Sequence, residues 1–281
     1  MSVSIPDAEQ HTFQARSNAR ASMTAFLAIV SRDLLVMWRE APVFLAQTLI
    51  QPLLLLFIFG KILPTIGTTN AGFSTLLLPG VVALTVFLTA FQGPAVDLAR
   101  DLGVLLEIED RLLAPLPVAL VAVEKILLTV LRALIGGALV FPLAFWILGS
   151  GYHVRTDLLG VLIGLMVLVA LVSATLGLLL AAVAPLQLLP VIFALIFTPL
   201  IFTGCTFYPW ASLSAIKWYQ VLTLFNPLTY ASEGMRYAMI PLVHGLAQPT
   251  LAMGWIVLTL CSLYIVSLWG GIILFCRRVI S

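Results

Sequence analysis

The chain has 281 residues, 62% of them hydrophobic and only 9% charged, with a formal net charge of +2. Soluble domains carry roughly 25% charged residues, so this much apolar surface exceeds what a water-soluble core can hide. Lipid is the remaining solvent, and the apolar residues come in continuous runs of about twenty rather than in strand-like alternation. That is the length of a helix crossing roughly 30 Å of hydrocarbon, and a closed barrel is set aside. The small net charge does not itself name a partner, and nucleic acid is not among those expected.

The chain opens with a polar stretch (Asp7, Glu9, His11, Gln14, Arg16, Asn18, Arg20), so no cleavable signal peptide is expected and insertion falls to the spans themselves. From Ala21 to Glu40, Phe26, Leu27, Val30, Leu34, Met37 and Trp38 recur at spacings of three and four and make one apolar helical face. The expectation is an amphipathic helix in the membrane interface, within a tail of residues 1–42; a charged lead-in to the first span is the alternative. Hydropathy, punctuated by Pro, Gly and charge, then gives six spans in a permease region of residues 43–281. They run from Val43 to Leu63, Leu76 to Val96, Leu127 to Leu148, Leu158 to Ala184, Leu188 to Phe207 and Thr250 to Cys276. No fixed-period repeat is present, and the two three-span halves share no matching Gly or Pro interruption of the kind seen in many secondary carriers.

The connection between the second and third spans, residues 97–121, holds the densest charge: Asp97, Arg100, Asp101, Glu107, Glu109, Asp110 and Arg111. Leu112, Leu113, Pro115 and Pro117 follow, so a short helix from Leu102 to Leu113 stopped by proline fits the pattern. A solvated, self-paired charge run is the plain alternative. Arg132 lies about one turn inside the third span, where snorkelling to the interface or a partner on another helix accounts for it better than a substrate role. A long-range pair with Glu124 on its own helix is also open.

In the second span Thr85, Thr89 and Gln92 follow helical spacing beside Phe91, and Phe197, Thr198, Phe202 and Thr203 decorate the fifth. A weakly polar, aromatic-lined surface of this kind suits a lipophilic or amphiphilic compound, although threonine and phenylalanine also serve as ordinary packing residues between membrane helices. Residues 209–247 are too polar to span and too apolar for a loose loop. A short helix from Ser212 to Leu222 and a second from Leu228 to Met239, broken at Asn226-Pro227, read as a re-entrant pair dipping from the outside. Glu233 and Arg236, three apart, can pair on one helix face.

Lys and Arg placement sets orientation. With the N-terminus inside, nine basic residues (Arg16, Arg20, Arg32, Arg39, Arg100, Arg111, Lys125, Arg277, Arg278) face the cytoplasm and four (Lys61, Arg155, Lys217, Arg236) the outside, which puts both termini in the cytoplasm. Chemistry-bearing motifs are missing. Gly60-Lys61 is followed by Ile62, so there is no phosphate-binding loop; there is no zinc signature or nucleophile elbow; and His11, His153 and His244 lie apart. Cys205, Cys261 and Cys276 show neither metal-ligand nor disulfide spacing. No catalytic residue, metal or bound cofactor is expected. An intramembrane lipid-modifying enzyme or an ion-coupled carrier would need intramembrane carboxylates or histidines that the spans lack.

The run Phe202, Thr203, Gly204 through Phe207, Tyr208, Pro209, followed by Leu224, Phe225, Asn226, Pro227, Leu228, Thr229, Tyr230 and then Glu233 and Arg236, resembles the signature of type-2 ABC transporter permeases. The resemblance extends to the amphipathic entry, the Arg32-Asp33 to Arg39 stretch, Pro52 in the first span and the Pro115 loop, with Tyr208 before Pro209 the main departure. It implies an all-α integral membrane subunit of an exporter, six spans with the interfacial helix and outer re-entrant pair, in the inner membrane. It also implies two cytoplasmic ATP-binding subunits carrying ATP and Mg, and a second permease, identical or homologous. By the same resemblance Glu107, Arg111, Leu112, Leu113 and Pro115 form the coupling helix against the ATP-binding subunit. Thr85, Thr89, Gln92, Phe91, Phe197, Thr198, Phe202 and Thr203 line the path, and Asn226, Pro227, Tyr230, Glu233 and Arg236 form the outer gating region. The drug and lipid branch is favoured by the path residues, with polysaccharide or glycolipid export as the alternative.

Overall fold

A computed structural model describes residues 7–67, 72–103, 118–149, 152, 154–241 and 250–280, and among these every regular element is helical. Helix α1 (Asp7–Leu55) runs on through a π-helical stretch (Leu56–Ile62) into a last turn (Leu63–Thr65). It is followed by α2 (Phe73–Gly103), α3 (Val118–Leu148), α4 (Leu159–Val183) and, after a 3₁₀ turn (Leu186–Leu188), α5 (Leu189–Thr203). A second 3₁₀ segment (Trp210–Ala215) leads into α6 (Lys217–Thr223), α7 (Pro227–Met239) and α8 (Met253–Ile280).

Among the described residues five helical stretches are long and apolar enough to cross a membrane: Phe26–Thr65, Phe73–Leu98, Ala119–Leu148, Leu159–Val183 and Met253–Arg278. They correspond to the first, second, third, fourth and sixth predicted spans. The fifth prediction, Leu188 to Phe207, comes out shorter. Helix α5 starts with Pro190 in its first turn and stops at Gly204, after which Cys205 takes a left-handed φ of 51°. Its 15 residues reach roughly 22 Å at 1.5 Å each, short of a full hydrocarbon crossing. Sequence hydropathy ran through the turn because Cys205 and Phe207 are themselves apolar.

The N-terminal expectation also changes form. No break separates the Ala21 to Glu40 stretch from the first span; one helix runs through both, with Pro42 and Pro52 inside it. On the predicted apolar face only Met37 is buried, whereas Trp38 is 74% exposed. Asp33 turns inward instead, 3.9 Å from the Lys125 ammonium of α3. A proline cannot donate to the carbonyl four residues back, so helices with internal prolines bend or borrow other donors, as neighbours allow in membrane helices.

Helix α2 is the centre of the bundle: 78% of its apolar window is buried, against 11% for α1 and 22% for α8. Val81, Val82, Phe87 and Ala90 of α2 pack with Ala133 and Val140 of α3 and with Val169, Ala170 and Leu178 of α4. The α2–α4 crossing is close enough that a β-carbon at Gly177 would lie 2.0 Å from the Phe91 carbonyl oxygen. Small residues at such crossings let backbones approach where lipid gives no hydrophobic drive for helix association. Helices α4 and α8 share a buried hydroxyl pair, Thr175 to Ser267 at 2.7 Å.

Candidate functional site

Two polar clusters sit at opposite ends of α2. One gathers at its start around α7; the other lies at its far end around Asp97. From Leu76 to Asp97 the helix rises about 30 Å, the thickness of a bilayer core.

The first cluster is built from the start of α7. Asn226 caps the helix by accepting the Leu228 N–H at 2.9 Å, and Pro227 in the first turn needs no acceptor. The Asn226 amide donates to the Leu200 carbonyl at 2.7 Å and to Thr203 Oγ1 at 2.8 Å, fastening α7 to the end of α5. Thr229 donates to the Thr223 carbonyl at 2.6 Å and Tyr230 to the Leu224 carbonyl at 3.0 Å, which closes the α6–α7 turn. The Tyr208 and Tyr219 hydroxyls lie 2.9 Å apart and both within reach of the Phe202 carbonyl, so one donates to that carbonyl in the last turn of α5 and the other donates to its neighbour or shares the same acceptor. Trp210 and Gln220 exchange bonds, Trp210 Nε1 to the Gln220 carbonyl and Gln220 Nε2 to the Trp210 carbonyl, both at 3.2 Å.

Behind this turn lies a fully buried ion pair. Arg236 Nη1 donates to Glu233 Oε1 at 2.8 Å, with the two side chains 1% and 0% exposed. Arg236 Nη2 donates to the carbonyls of Cys205 and Thr206, and Nε reaches the Leu76 carbonyl at 3.4 Å. The Trp210 N–H donates to the same Glu233 oxygen at 2.9 Å, while Oε2 is buried with no hydrogen-bond partner among the described residues. One planar guanidinium thus ties α7, the turn after α5 and the start of α2 together, a geometry that a fork of five donors supports and an ammonium does not. The turn also presses directly on α2, since a β-carbon at Gly80 would stand 2.0 Å from the Thr206 carbonyl oxygen. In that turn, burial first and then the neighbouring Glu233 carboxylate raise the Cys205 thiol to about 11, so it stays protonated and inert. Burial, then the bond from Tyr219, likewise raises Tyr208.

At the far end of α2, Arg132 Nη1 meets Asp97 at 3.0 Å to Oδ1 and 3.3 Å to Oδ2. This cross-helix partner is the resolution of the intramembrane arginine; the sequence had placed Asp97 in the loop rather than on the helix. Next to the pair a groove of about 380 Å³ opens between α1, α2 and α3. Its polar lining is Gln47, Thr48 and Gln51 of α1, Thr85, Thr89 and Gln92 of α2, and Glu40 and Arg132 at one end.

The structure divides the predicted path. Thr85, Thr89 and Gln92 line the groove, and Thr85 also donates to the Val81 carbonyl at 2.8 Å. Phe91 faces elsewhere, into an aromatic cluster between α2 and α5 with Phe197 at 5.6 Å and Phe193 at 6.0 Å between centroids. Thr198 donates to the Ala194 carbonyl at 3.0 Å, Phe202 is exposed, and Thr203 belongs to the Asn226 network. Asn226, Pro227, Tyr230, Glu233 and Arg236 come together in the first cluster. Glu107, Arg111, Leu112, Leu113 and Pro115 lie outside the described residues, as does His244. Sequence reasoning missed Gln47, Thr48 and Gln51; a pair of glutamines four apart inside an otherwise apolar span was the available signal.

Among the described residues no group of His, Cys, Asp and Glu is arranged to hold a metal. What these helices define is a multi-pass membrane protein whose polar side chains brace helices and line a groove between them. Residues 24–240 match the sequence family described as ABC-2 type transporter. The chain belongs to that family and is a transport permease, the membrane component of a transport system. It is similar to the "Putative transport permease ycf38" of Porphyra purpurea, 29% identical over 218 residues, covering 75% of this chain and 72% of that protein. The protein of the same name from Pyropia yezoensis is 28% identical over 217 residues with the same two coverages.

Proposed function

We propose that this chain is the membrane-spanning subunit of an ATP-driven exporter that moves a lipophilic or amphiphilic compound out of the cytoplasm or inner leaflet. Two permeases, identical or homologous, form the pathway, and two cytoplasmic ATP-binding subunits hydrolyse ATP with Mg. Both termini lie in the cytoplasm of a cell with its inner membrane as the site of action, so the Asp97 end of α2 faces inward and the α7 cluster outward. On this reading α6 and α7 are the re-entrant pair, with the short α5 as the span leading to them. The observation that carries the proposal is the family membership together with a groove of polar side chains inside apolar helices.

The coupling segment holds Glu107, Arg111, Leu112, Leu113 and Pro115. Its sequence, charges followed by Leu-Leu and prolines, suits a lever that passes a partner's movement on with little loss to flexing. It connects α2, the central helix, to α3, whose Arg132 is bound to Asp97, so a push on the segment reaches both walls of the groove at once. The test is to co-express the chain with an ATP-binding subunit, reconstitute the complex and measure ATP hydrolysis with Leu112→Glu and Leu113→Glu. The expected outcome is that the double variant removes the response of hydrolysis to the membrane subunit. Unchanged association and unchanged hydrolysis in the double variant would reject this coupling site.

A further inference from the structure

We propose that the groove between α1, α2 and α3 binds the uncharged, hydroxyl-rich headgroup of an amphiphile, an inference that rests on the transport reading above and narrows its substrate. Three observations carry it. First, the lining is amide and hydroxyl rather than charge: Gln47, Thr48, Gln51, Thr89 and Gln92 face about 380 Å³ of space, a volume within the usual range of small-molecule sites. Second, among the described residues none of these five side chains hydrogen-bonds to another part of the protein. Gln47 is exposed and the other four are half-buried on the groove wall, so their amides and hydroxyls are placed to meet the donors and acceptors of a bound molecule.

Third, the electrostatics disfavour an anionic headgroup. The one guanidinium at the groove is already held by both oxygens of Asp97, and Glu40 lines the same end. A phosphate would have to displace Asp97 and lie near a carboxylate. A sugar or polyol instead presents hydroxyls that both donate and accept, which matches glutamine amides and threonine hydroxyls. Thr48 sits close against α3, where a β-carbon at Gly136 would meet its Cγ2 at 2.9 Å. Met37, Val43, Phe44, Leu84 and Leu88 supply an apolar flank for the acyl part.

The test uses the full-length chain in nanodiscs, without any ATP-binding subunit, and tritiated monoglucosyl diacylglycerol as the probe. Unlabelled monoglucosyl diacylglycerol is expected to displace the probe about tenfold better than diacylglycerol or phosphatidylglycerol with the same acyl chains, and free glucose to displace it poorly. Gln51→Leu and Gln92→Leu are each expected to weaken binding about fivefold to tenfold. Gln47→Leu, on the exposed rim, gives the same direction where the inner variants fail to fold, while Phe225→Ala, far from the groove, leaves binding unchanged. Equal displacement by phosphatidylglycerol, by diacylglycerol or by free glucose would overturn the proposal, as would undiminished binding by the glutamine variants. Efficient crosslinking of Gln47→Cys between two copies would also overturn it, by showing that a second chain fills the groove. Because the readout needs no hydrolysis, a failure here leaves the Leu112 and Leu113 coupling result standing, and a failure there leaves this one standing.

Discussion

Among the described residues, Arg236 makes the most demanding set of side-chain contacts. Its guanidinium makes four hydrogen bonds, to one carboxylate and to three backbone carbonyls from two separate segments, in a place where water is excluded. Removing one member of a buried ion pair strands the other charge and typically costs about 3–5 kcal/mol, whereas replacing both by apolar groups of similar volume is often far milder. Arg236→Met is therefore expected to lower the thermal midpoint of the purified chain sharply. The double variant Glu233→Gln with Arg236→Met is expected to recover much of that loss in the same melt. Arg236→Lys should fall between wild type and Arg236→Met, because an ammonium cannot address Glu233, Cys205 and Thr206 at once. Spacing alone disclosed the i,i+3 pair in the sequence. The three carbonyl partners were invisible to it, because they come from residues 30, 31 and 160 positions away in the chain.

Among the elements, α2 and α4 show how tightly this bundle is packed. A methyl group at Gly177 has no space beside the Phe91 carbonyl, which belongs to backbone and cannot turn aside. Gly177→Ala is expected to force the helices apart and cost about 3 kcal/mol or more, read as a fall in the thermal midpoint, while Gly160→Ala, with open space around it, should change little. The long apolar helices were legible in the sequence, since twenty-residue runs admit few other structures. Helix ends were not: the stop of α5 depends on a left-handed Cys205, and no propensity of that residue announces it. The predicted interfacial helix was misread as a separate piece because its face was judged by apolar spacing. Its orientation is set instead by Asp33 turning in toward Lys125, a contact across 92 residues of chain. Half of the candidate groove was likewise readable, because Thr85, Thr89 and Gln92 share a helical face. The other half came from α1 and needed the packing of two helices to be known.

For the molecule as a whole, the two clusters along α2 divide the labour. The Glu233–Arg236 cluster locks three segments together, whereas the groove end is walled on one side by α1, the least buried of the long helices. Conformational change in such a bundle is expected to concentrate where packing is thin. In the reconstituted complex, spin labels at Trp38→Cys and Val183→Cys, both toward the groove end, should change separation by about 5 Å or more between ATP-trapped and nucleotide-free states. A pair at Phe73→Cys and Tyr237→Cys, across the locked end, should change by about 2 Å or less. Equal movement at both ends would argue for rigid-body rotation of the entire subunit instead.

The unbroken course of α1 turns it into a mechanical gear. Pro52 lies on the groove wall, and 45 residues of the same helix lie on its N-terminal side, from Asp7 to Gln51. As a straight rod that arm measures about 68 Å, so a tilt of about 10° at the proline would sweep its tip through about 12 Å. A shift of an ångström or two at the groove wall would thus be multiplied several-fold at the far end of the arm, within reach of another protein that never contacts the groove.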